Sequence, residues 1–369
     1  MSEGTRYVGL DVHKEWIVAA VADSPGDVQE FGRVANEANE VRRLVKRLER
    51  PGWQLRACYE AGPTGYPLQR YLSGLGVDTV VVAPSLIPVR PGDRVKTDRR
   101  DAAKLARLLR SGDLTPVWIP DEQHEALRDL LRARDDARTD DLRAKHRLTK
   151  FLLRRGVPTP TNLGRPWGQR HHQWLNQLRF DDPAVRVTFD DYLATVRTAG
   201  ERVRRLDVAL ADAAPRSRLA PVIQALQAFR GISFLSAVTI VAEAGDLHRF
   251  ATAPQLMAFI GLVPSEYSSG DRRIRGRITK TGNRLMRHVL GEAAHHARHQ
   301  PLVSDTLRRR QAGTPPAVTE LAWRCQQRLH HKYLHLGGRI GRNRALIAVA
   351  REFAGFIWAA GQLVEVPAA

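Results

Sequence analysis

Cysteine is almost missing. The 369 residues include two, Cys58 and Cys325, far apart in the chain. Two such residues exclude a disulfide framework and a cysteine-based zinc site, and imply two free thiols. Long apolar runs are also missing, since none approaches the ~18 residues that a membrane span requires. The opening MSEGTRYVGLDV passes into strand-like sequence without the apolar core of a signal peptide, which predicts a cytoplasmic protein with no membrane partner. Lysine is scarce, eight of the 58 basic residues, so arginine carries the positive charge. Acidic residues number 39, leaving a formal charge of +19. A GC-rich genome accounts for part of the arginine-over-lysine bias but not for the net charge. Such an excess points to a polyanion, and the planar guanidinium suits bidentate phosphate contacts, so nucleic acid is the leading partner. With 43% hydrophobic residues the chain can supply cores for two or three domains, at ~100–200 residues each.

The first hundred residues alternate strand and helix patterns. RYVGLD (6–11), WIVAAVAD (16–23) and VQEFGRV (28–34) are short runs separated by turn residues, which predicts a three-stranded meander. Asn36 is placed to cap a helix running to about Arg50, with Val41, Leu44, Val45 and Leu48 on one face. A strand LRACYE ending at Glu60, a helix over TGYPLQRYLSGL and a strand VDTVVVAP (77–84) follow. Strands alternating with helices predict a layered α/β domain.

Acidic residues fall at the ends of these strands, Asp11 on the first and Glu60 on the fourth. A carboxylate at the polar end of a buried strand is held rigidly and can converge with others, as a hard divalent cation requires. Asp98 and Asp101 stand three apart in KTDRRDAAKLARLL, on one face at the start of an amphipathic helix. Helix capping by Asp98 and a favourable dipole contact by Asp101 would explain that pair equally well. Taken together, the four acids suit a Mg²⁺ site for phosphoryl transfer.

GLDVHKEW, YEAGPTGY and KTDRRDAAKLARLL, in that order, resemble the DEDD domain of the insertion-sequence transposases of the IS-one-ten family, which is related to RuvC-like nucleases with the ribonuclease-H (RNase H) fold. The resemblance supplies Asp11, Glu60, Asp98 and Asp101 as a set of metal ligands and implies Mg²⁺; spacing alone does not select Glu60.

Residues 121–155 contain neither Gly nor Pro, and Leu127, Leu130, Leu131, Ala137, Leu142, Leu148, Phe151 and Leu152 form an apolar stripe among dense charges. One long helix is expected, either a connector packed on one side or a coiled coil pairing protomers; its length, well beyond the usual ~11–12 residues, favours the second. A Gly- and Pro-rich loop (156–168), the segment RHHQWLNQL and a second long helix near 183–213 follow. His171 and His172 are adjacent and so point apart on a helix, which makes them surface residues rather than metal ligands.

Residues 226–243, LQAFRGISFLSAVTIVAE, suggest two short helices around Gly231-Ile232, similar to a helix-hairpin-helix that offers backbone N–H groups to a phosphate. A plain pair of helices would look alike. After a helix at 253–260 comes GLVPSEYSSGDRRIRGRITKTGNRLMRHVL, in which Arg272, Arg273, Arg275, Arg277, Lys280, Arg284 and Arg287 oppose Glu266 and Asp271. Seven cations against two acids make a phosphate-binding surface. A serine among them can donate a hydrogen bond to phosphate or attack it, since neighbouring guanidinium groups stabilise the charge that develops at phosphorus. Chemistry alone favours the donor and does not separate Ser268 from Ser269.

The run GLVPSEYSSG followed by RITKTGNRLMRHVL is similar to the transposase domain of the same family, and that resemblance makes the serine before the glycine, Ser269, the nucleophile, with Ser268 as the fallback and Ser265 outside the pattern. It implies a recombinase in which a structured noncoding RNA, the bridge RNA, pairs with donor and target DNA. It also implies a homo-oligomer, dimer to tetramer, with composite sites built from different protomers, acting in the bacterial cytoplasm and associated with the nucleoid when bound. RNA guidance agrees with the lack of an obvious major-groove reader. The expected architecture is a RuvC-like α/β domain (1–115), a long-helix coiled-coil region (116–218) and a mainly α serine transposase domain (219–369). The alternatives are a RuvC-like endonuclease using metal-activated water, and a noncatalytic nucleic-acid-binding scaffold.

Overall fold

The amino-terminal strands follow from β-branched and small apolar residues in short runs punctuated by turns. They are β1 (Gly4–Val12), β2 (Trp16–Asp23), β3 (Val28–Ala35), β4 (Trp53–Glu60) and β5 (Asp78–Val82), in one five-stranded sheet of order β3-β2-β1-β4-β5. β1–β2 and β2–β3 pair antiparallel, whereas β1–β4 and β4–β5 pair parallel. This is a computed structural model, and it describes residues 4–23, 26–88, 97–269 and 272–367, with residues 269, 272, 273 and 275 described by their backbone alone.

Period-two alternation assigns the two faces of the sheet. Val8, Leu10, Ile17, Ala19, Ala57, Tyr59 and Val81 pack under α1 (Ala38–Leu48), whose Val41, Leu44, Val45 and Leu48 form the apolar stripe expected, and under α2 (Pro67–Gly74). The opposite face, with Val18, Ala20, Ala22, Cys58 and Val82, is covered by Ala102, Leu105, Ala106 and Leu109 of α3 (Asp98–Ser111). The Cys58 thiol is free and buried there, and burial pushes it up to about 12. Asn36 is not the cap of α1: that position is Glu37, and the Asn36 amide instead donates to the His13 carbonyl at 2.8 Å. Residues 116–119 return to the sheet edge, where Val117 N–H donates to Val81 O at 2.8 Å, and the first compact unit closes at Ile119.

The second unit, Pro120–Ala369, is helical apart from one hairpin. The long helix exists as α4 (Glu122–Arg154), N-capped by Asp121, whose carboxylate accepts from His124 N–H at 2.7 Å. After α5 (Gln169–Gln177), α6 (Pro183–Ala213) runs back along α4, as the pairs Arg134–Asp207 at 2.7 Å and Arg202–Asp140 at 3.0 Å show. The apolar stripe finds its partners inside the chain: Ala144, Leu148, Phe151 and Leu152 pack on Phe189, Leu193 and Val196 of α6, while Leu127 and Leu131 enter the carboxy-terminal core. Leu142 is the exception, 47% exposed. His171 is likewise buried, not a surface residue, because the α5 face that carries it also carries Leu175 into the α4–α6 core.

That larger core is assembled from α7 (Ala220–Leu226), α8 (Phe234–Ala244), α9 (Ala253–Ile260), α10 (Arg284–Ala294), α11 (Asp305–Gln311), α12 (Pro316–Ile340) and α13 (Arg342–Gln362). The two helices expected around Gly231 lie slightly earlier and later than the sequence suggests: α7 runs from Ala220 to Leu226, α8 starts at Phe234, and 227–233 form the connection. Gly231 has φ +90°, and a Cβ there would sit 3.0 Å from Ala293 O and 2.9 Å from the His296 ring, so α10 approaches this turn too closely for any side chain. Among the described residues, no helix is long and apolar enough to cross a membrane.

Candidate active site

Asp11 lies on β1 one position beyond the Leu10↔Tyr59 pair, and Glu60 follows Tyr59 on β4. Leu10 and Tyr59 face α1 and α2, so alternation turns Asp11 and Glu60 to the α3 face, at the carboxyl ends of two adjacent parallel strands. Gly9 brings α3 to them. A Cβ at Gly9 would stand 2.1 Å from Ala102 O and 2.4 Å from Ala106 N, so α3 crosses β1 at a distance only glycine permits. Thr97, not Asp98, caps that helix, accepting from Arg100 N–H at 3.4 Å. Asp98 is therefore not the cap, and it and Asp101 both stand in the first turn of α3.

Asp11 and Asp98 do come together, and with them a residue the sequence analysis passed over. His13 Nε2 is 3.3 Å from Asp11 Oδ2 and 3.4 Å from Asp98 Oδ2, and the three side chains offer ligand atoms all within 4.8 Å of one another. The signal was present, because residue 13 is two beyond residue 11 and shares its face at the strand end. His13 is fixed by its own N–H to Trp16 O at 2.9 Å and by the Asn36 amide on its carbonyl. Burial raises the Asp11 carboxyl above its ordinary value; His13 opposes that shift, and Asp98 and Asp101 add to it. Asp101 is thus close enough to be felt. Glu60 is exposed on the neighbouring strand, on the same face but outside the group of three.

The donor set fits a divalent cation. Hard carboxylate oxygens converge, one of them on a half-buried and mutually repelled acid, and a protein nitrogen already lies between two of those oxygens.

In the second unit, β6 (Pro264–Ser269) and β7 (Arg272–Ile278) form an antiparallel hairpin with Ser268↔Arg273 and Ser269↔Arg272 as facing pairs. Residues with alternating Ile274, Gly276 and Ile278 make β7 a strand despite its charge. The side chains of Ser269, Arg272, Arg273 and Arg275 lie outside the described ones. Ser268 Oγ donates to Glu266 Oε1 at 2.9 Å. Tyr267 and Ile274, paired across the strands, are 78% and 48% exposed. Arg277, Lys280 and Arg284 are exposed as well, whereas Arg287 donates to Ile260 O at 2.7 Å and so braces the end of α9.

The base of the hairpin is locked by backbone contacts. Thr279 N–H donates to Val263 O at 2.9 Å, Asn283 N–H to Phe259 O at 2.9 Å, and a Cβ on Gly282 would meet Phe259 O at 2.2 Å. Asn283 then caps α10, its Oδ1 accepting from Met286 N–H at 2.9 Å, while its amide donates to Glu243 Oε2 at 2.6 Å. Glu243 is buried and also accepts from Arg132 Nε and Nη2 at 2.9 and 3.1 Å. Burial alone would raise this carboxyl, but Arg132, then Asn283, hold it below its ordinary value. Sequence analysis missed Glu243, although a lone acid in the apolar run AVTIVAE signals a paired buried charge.

Comparison with known proteins gives these two regions a common context. Residues 8–156 match a family model described as Transposase, that of the DEDD domain of IS110 elements, and residues 223–308 match one described as Transposase IS116/IS110/IS902 family. The protein y4qE of Sinorhizobium fredii, named as a transposase, is 42% identical over 358 residues, covering 96% of this chain and 87% of its own. The transposase for insertion sequence element IS1533 of Leptospira borgpetersenii is 35% identical over 342 residues, covering 89% and 96% respectively. That for IS1111A of Coxiella burnetii is 24% identical over 294 residues, 79% of this chain and 73% of its own. The two matched regions occur in the order expected of one polypeptide, and the chain belongs to the IS110 (IS-one-ten) family of transposases.

Proposed function

We propose that this transposase cuts and rejoins DNA through a covalent phosphoserine on Ser269, with the acid group of the first unit and the hairpin of the second acting on the same phosphodiester. The observation that carries the proposal is the gathering of Asp11 and Asp98, with Asp101 close by and Glu60 on the next strand, at the carboxyl ends of the central strands of a chain that belongs to a transposase family. The sheet order, with its parallel β1-β4-β5 half and antiparallel β1-β2-β3 half, supports an RNase H-like, RuvC-like domain.

Asp11, Asp98, Asp101 and Glu60 would hold Mg²⁺, which when bound neutralises charge on the phosphate. The arginines of the hairpin, Arg272, Arg273, Arg275 and Arg277, with Lys280, Arg284 and Arg287 at its base, orient the strand and stabilise developing charge. Ser269 Oγ forms a bond to phosphorus, one P–O bond of the strand breaks, and the serine proton ends on the departing strand oxygen. In the second transfer a strand hydroxyl attacks that phosphorus, and Ser269 leaves with the proton restored. A structured RNA of the element, the bridge RNA, pairs with donor and target DNA and supplies sequence selection, and a dimer or tetramer brings the two units of different protomers together. These last points rest on the resemblance.

Incubation of the protein with Mg²⁺, element DNA and RNA from its flanks, followed by denaturing electrophoresis, tests the reading. A protein–DNA adduct is expected for wild type and Ser268→Ala and none for Ser269→Ala. Strand cleavage with no adduct in any of them would replace it with metal-assisted hydrolysis, and no cleavage by the wild type, with nucleic-acid binding intact in Asp11→Ala and Glu60→Ala, would leave only a binding scaffold.

A further inference from the structure

Three openings follow one another along α4. One is bounded by Arg132, Asp135 and Arg284 beside the hairpin base; the next shares Asp135 and reaches Arg138; the third shares Arg138 and ends at Trp167. The third has a cavity volume of about 460 Å³.

Trp167 stands there in a conformation its side chain does not favour. Arg165-Pro166-Trp167-Gly168 closes as a turn, with Gly168 N–H donating to Arg165 O at 3.1 Å. Proline at the second position and φ +61° at the third are the pattern of a type II turn, whose third position normally falls to glycine. A bulky residue at positive φ is a backbone outlier, and such outliers gather at ligand clamps. The indole is only partly buried, edge-on to His171 at 4.8 Å between ring centroids, and it lines the third opening.

The rest of the wall has the chemistry of a nucleotide. Arg138, Lys145 and Arg165 line it together with one acid, Asp141; Arg138 is also paired with Asp135 at 3.2 Å, and Arg165 is exposed. The Lys145 ammonium is 5.6 Å from the indole centroid and is held by Asp141 at 2.6 Å. Leu142, the one residue of the α4 stripe left 47% exposed, opens into the same space and offers an apolar surface beside the indole. Aromatic faces beside a cationic groove are how unpaired nucleic-acid strands are held without regard to sequence.

We propose that an unpaired nucleic-acid strand runs along α4 and that one of its bases stacks on Trp167 and Leu142, its phosphate taken by Arg165 and Lys145. This site lies within the second unit and stands whether or not Ser269 is the nucleophile. Fluorescence anisotropy of the full chain with labelled oligo(dT), oligo(rU) and a duplex of equal length tests it. Trp167→Ala should weaken single-strand binding roughly tenfold, the scale of one stacked base, with Trp167→Phe within about threefold of wild type and duplex binding unchanged. A loss with oligo(dT) alone identifies DNA as the strand, one with oligo(rU) alone identifies RNA, and one with both shows that the site reads only the shared chemistry. Because Trp167 also touches the α4–α6 core, the exposed Arg165→Glu serves as a second variant and should show the same single-strand loss. Unchanged single-strand affinity in both variants, or a parallel fall in duplex affinity, overturns the proposal.

Discussion

In the first unit the candidate side chains stand on backbone that packing over-determines: Asp11 and Glu60 end adjacent parallel strands, and α3 is pressed against β1 at Gly9 so that its first turn meets Asp11. In the second they stand on a hairpin whose strands carry exposed Tyr267, Ile274 and Arg277, and only its base is fixed, by Gly282, Asn283 and the buried Glu243. The contrast follows from the chemistry each would perform. Carboxylates that share a cation repel one another and need a rigid frame to converge. Guanidinium groups that grip a polyanion act at longer range, and need only be numerous and reachable.

Gly9→Ala should break the first half of that contrast most severely. Its Cβ has only backbone to push against, so stability should fall by about 1–3 kcal/mol or more. Displacing the α3 acids by even about 1 Å should lower strand cleavage roughly 100-fold; thermal unfolding and a cleavage assay read the two effects. Gly282→Ala makes the matching intrusion at the hairpin base, where φ is +112° and Phe259 O is 2.2 Å from the new atom. A stability loss of about 1–3 kcal/mol is expected, and a much smaller one would show that the base is looser than described.

Glu243→Gln sharpens the comparison through pH. The Glu243 carboxyl is held below its ordinary value of 4.5. The ionised pair therefore stabilises the fold fully above that value and stops doing so as pH falls through the lowered one. The variant should cost roughly 1–3 kcal/mol at neutral pH, and the difference from wild type should shrink in acid, as denaturant titrations across pH would show. Arg277→Ala has the smallest expected effect. Stability should stay within about 0.5 kcal/mol, while the slope of log K against log salt for duplex DNA should fall by about 0.9 for the lost phosphate contact.

Sequence served the first unit better than the second for a physical reason. Alternation exposes which strand residues share a face, and Asp11 and Glu60 close strands whose apolar residues are plain to see. His13 was readable on the same rule and was hidden only by its position past the end of the apolar run. The hairpin was seen as charge because four of the seven residues of RRIRGRI are arginine, which masked its period-two pattern of Ile274, Gly276 and Ile278. The α4 stripe showed a helix but not its partner, since an apolar face states that it must be covered without stating whether a second chain or α6 covers it. Trp167 was beyond reach until the turn around it gave its φ.

The account depends on the acids and the serine serving one bond, and the yield of covalent adduct in Asp11→Asn, measured beside Ser269→Ala on the same DNA with the fold of each checked by thermal unfolding, tests that most directly. Adduct should disappear from both folded variants alike. Adduct at wild-type yield in Asp11→Asn, with Ser269→Ala silent, would show that the acid group and the hairpin act on different bonds.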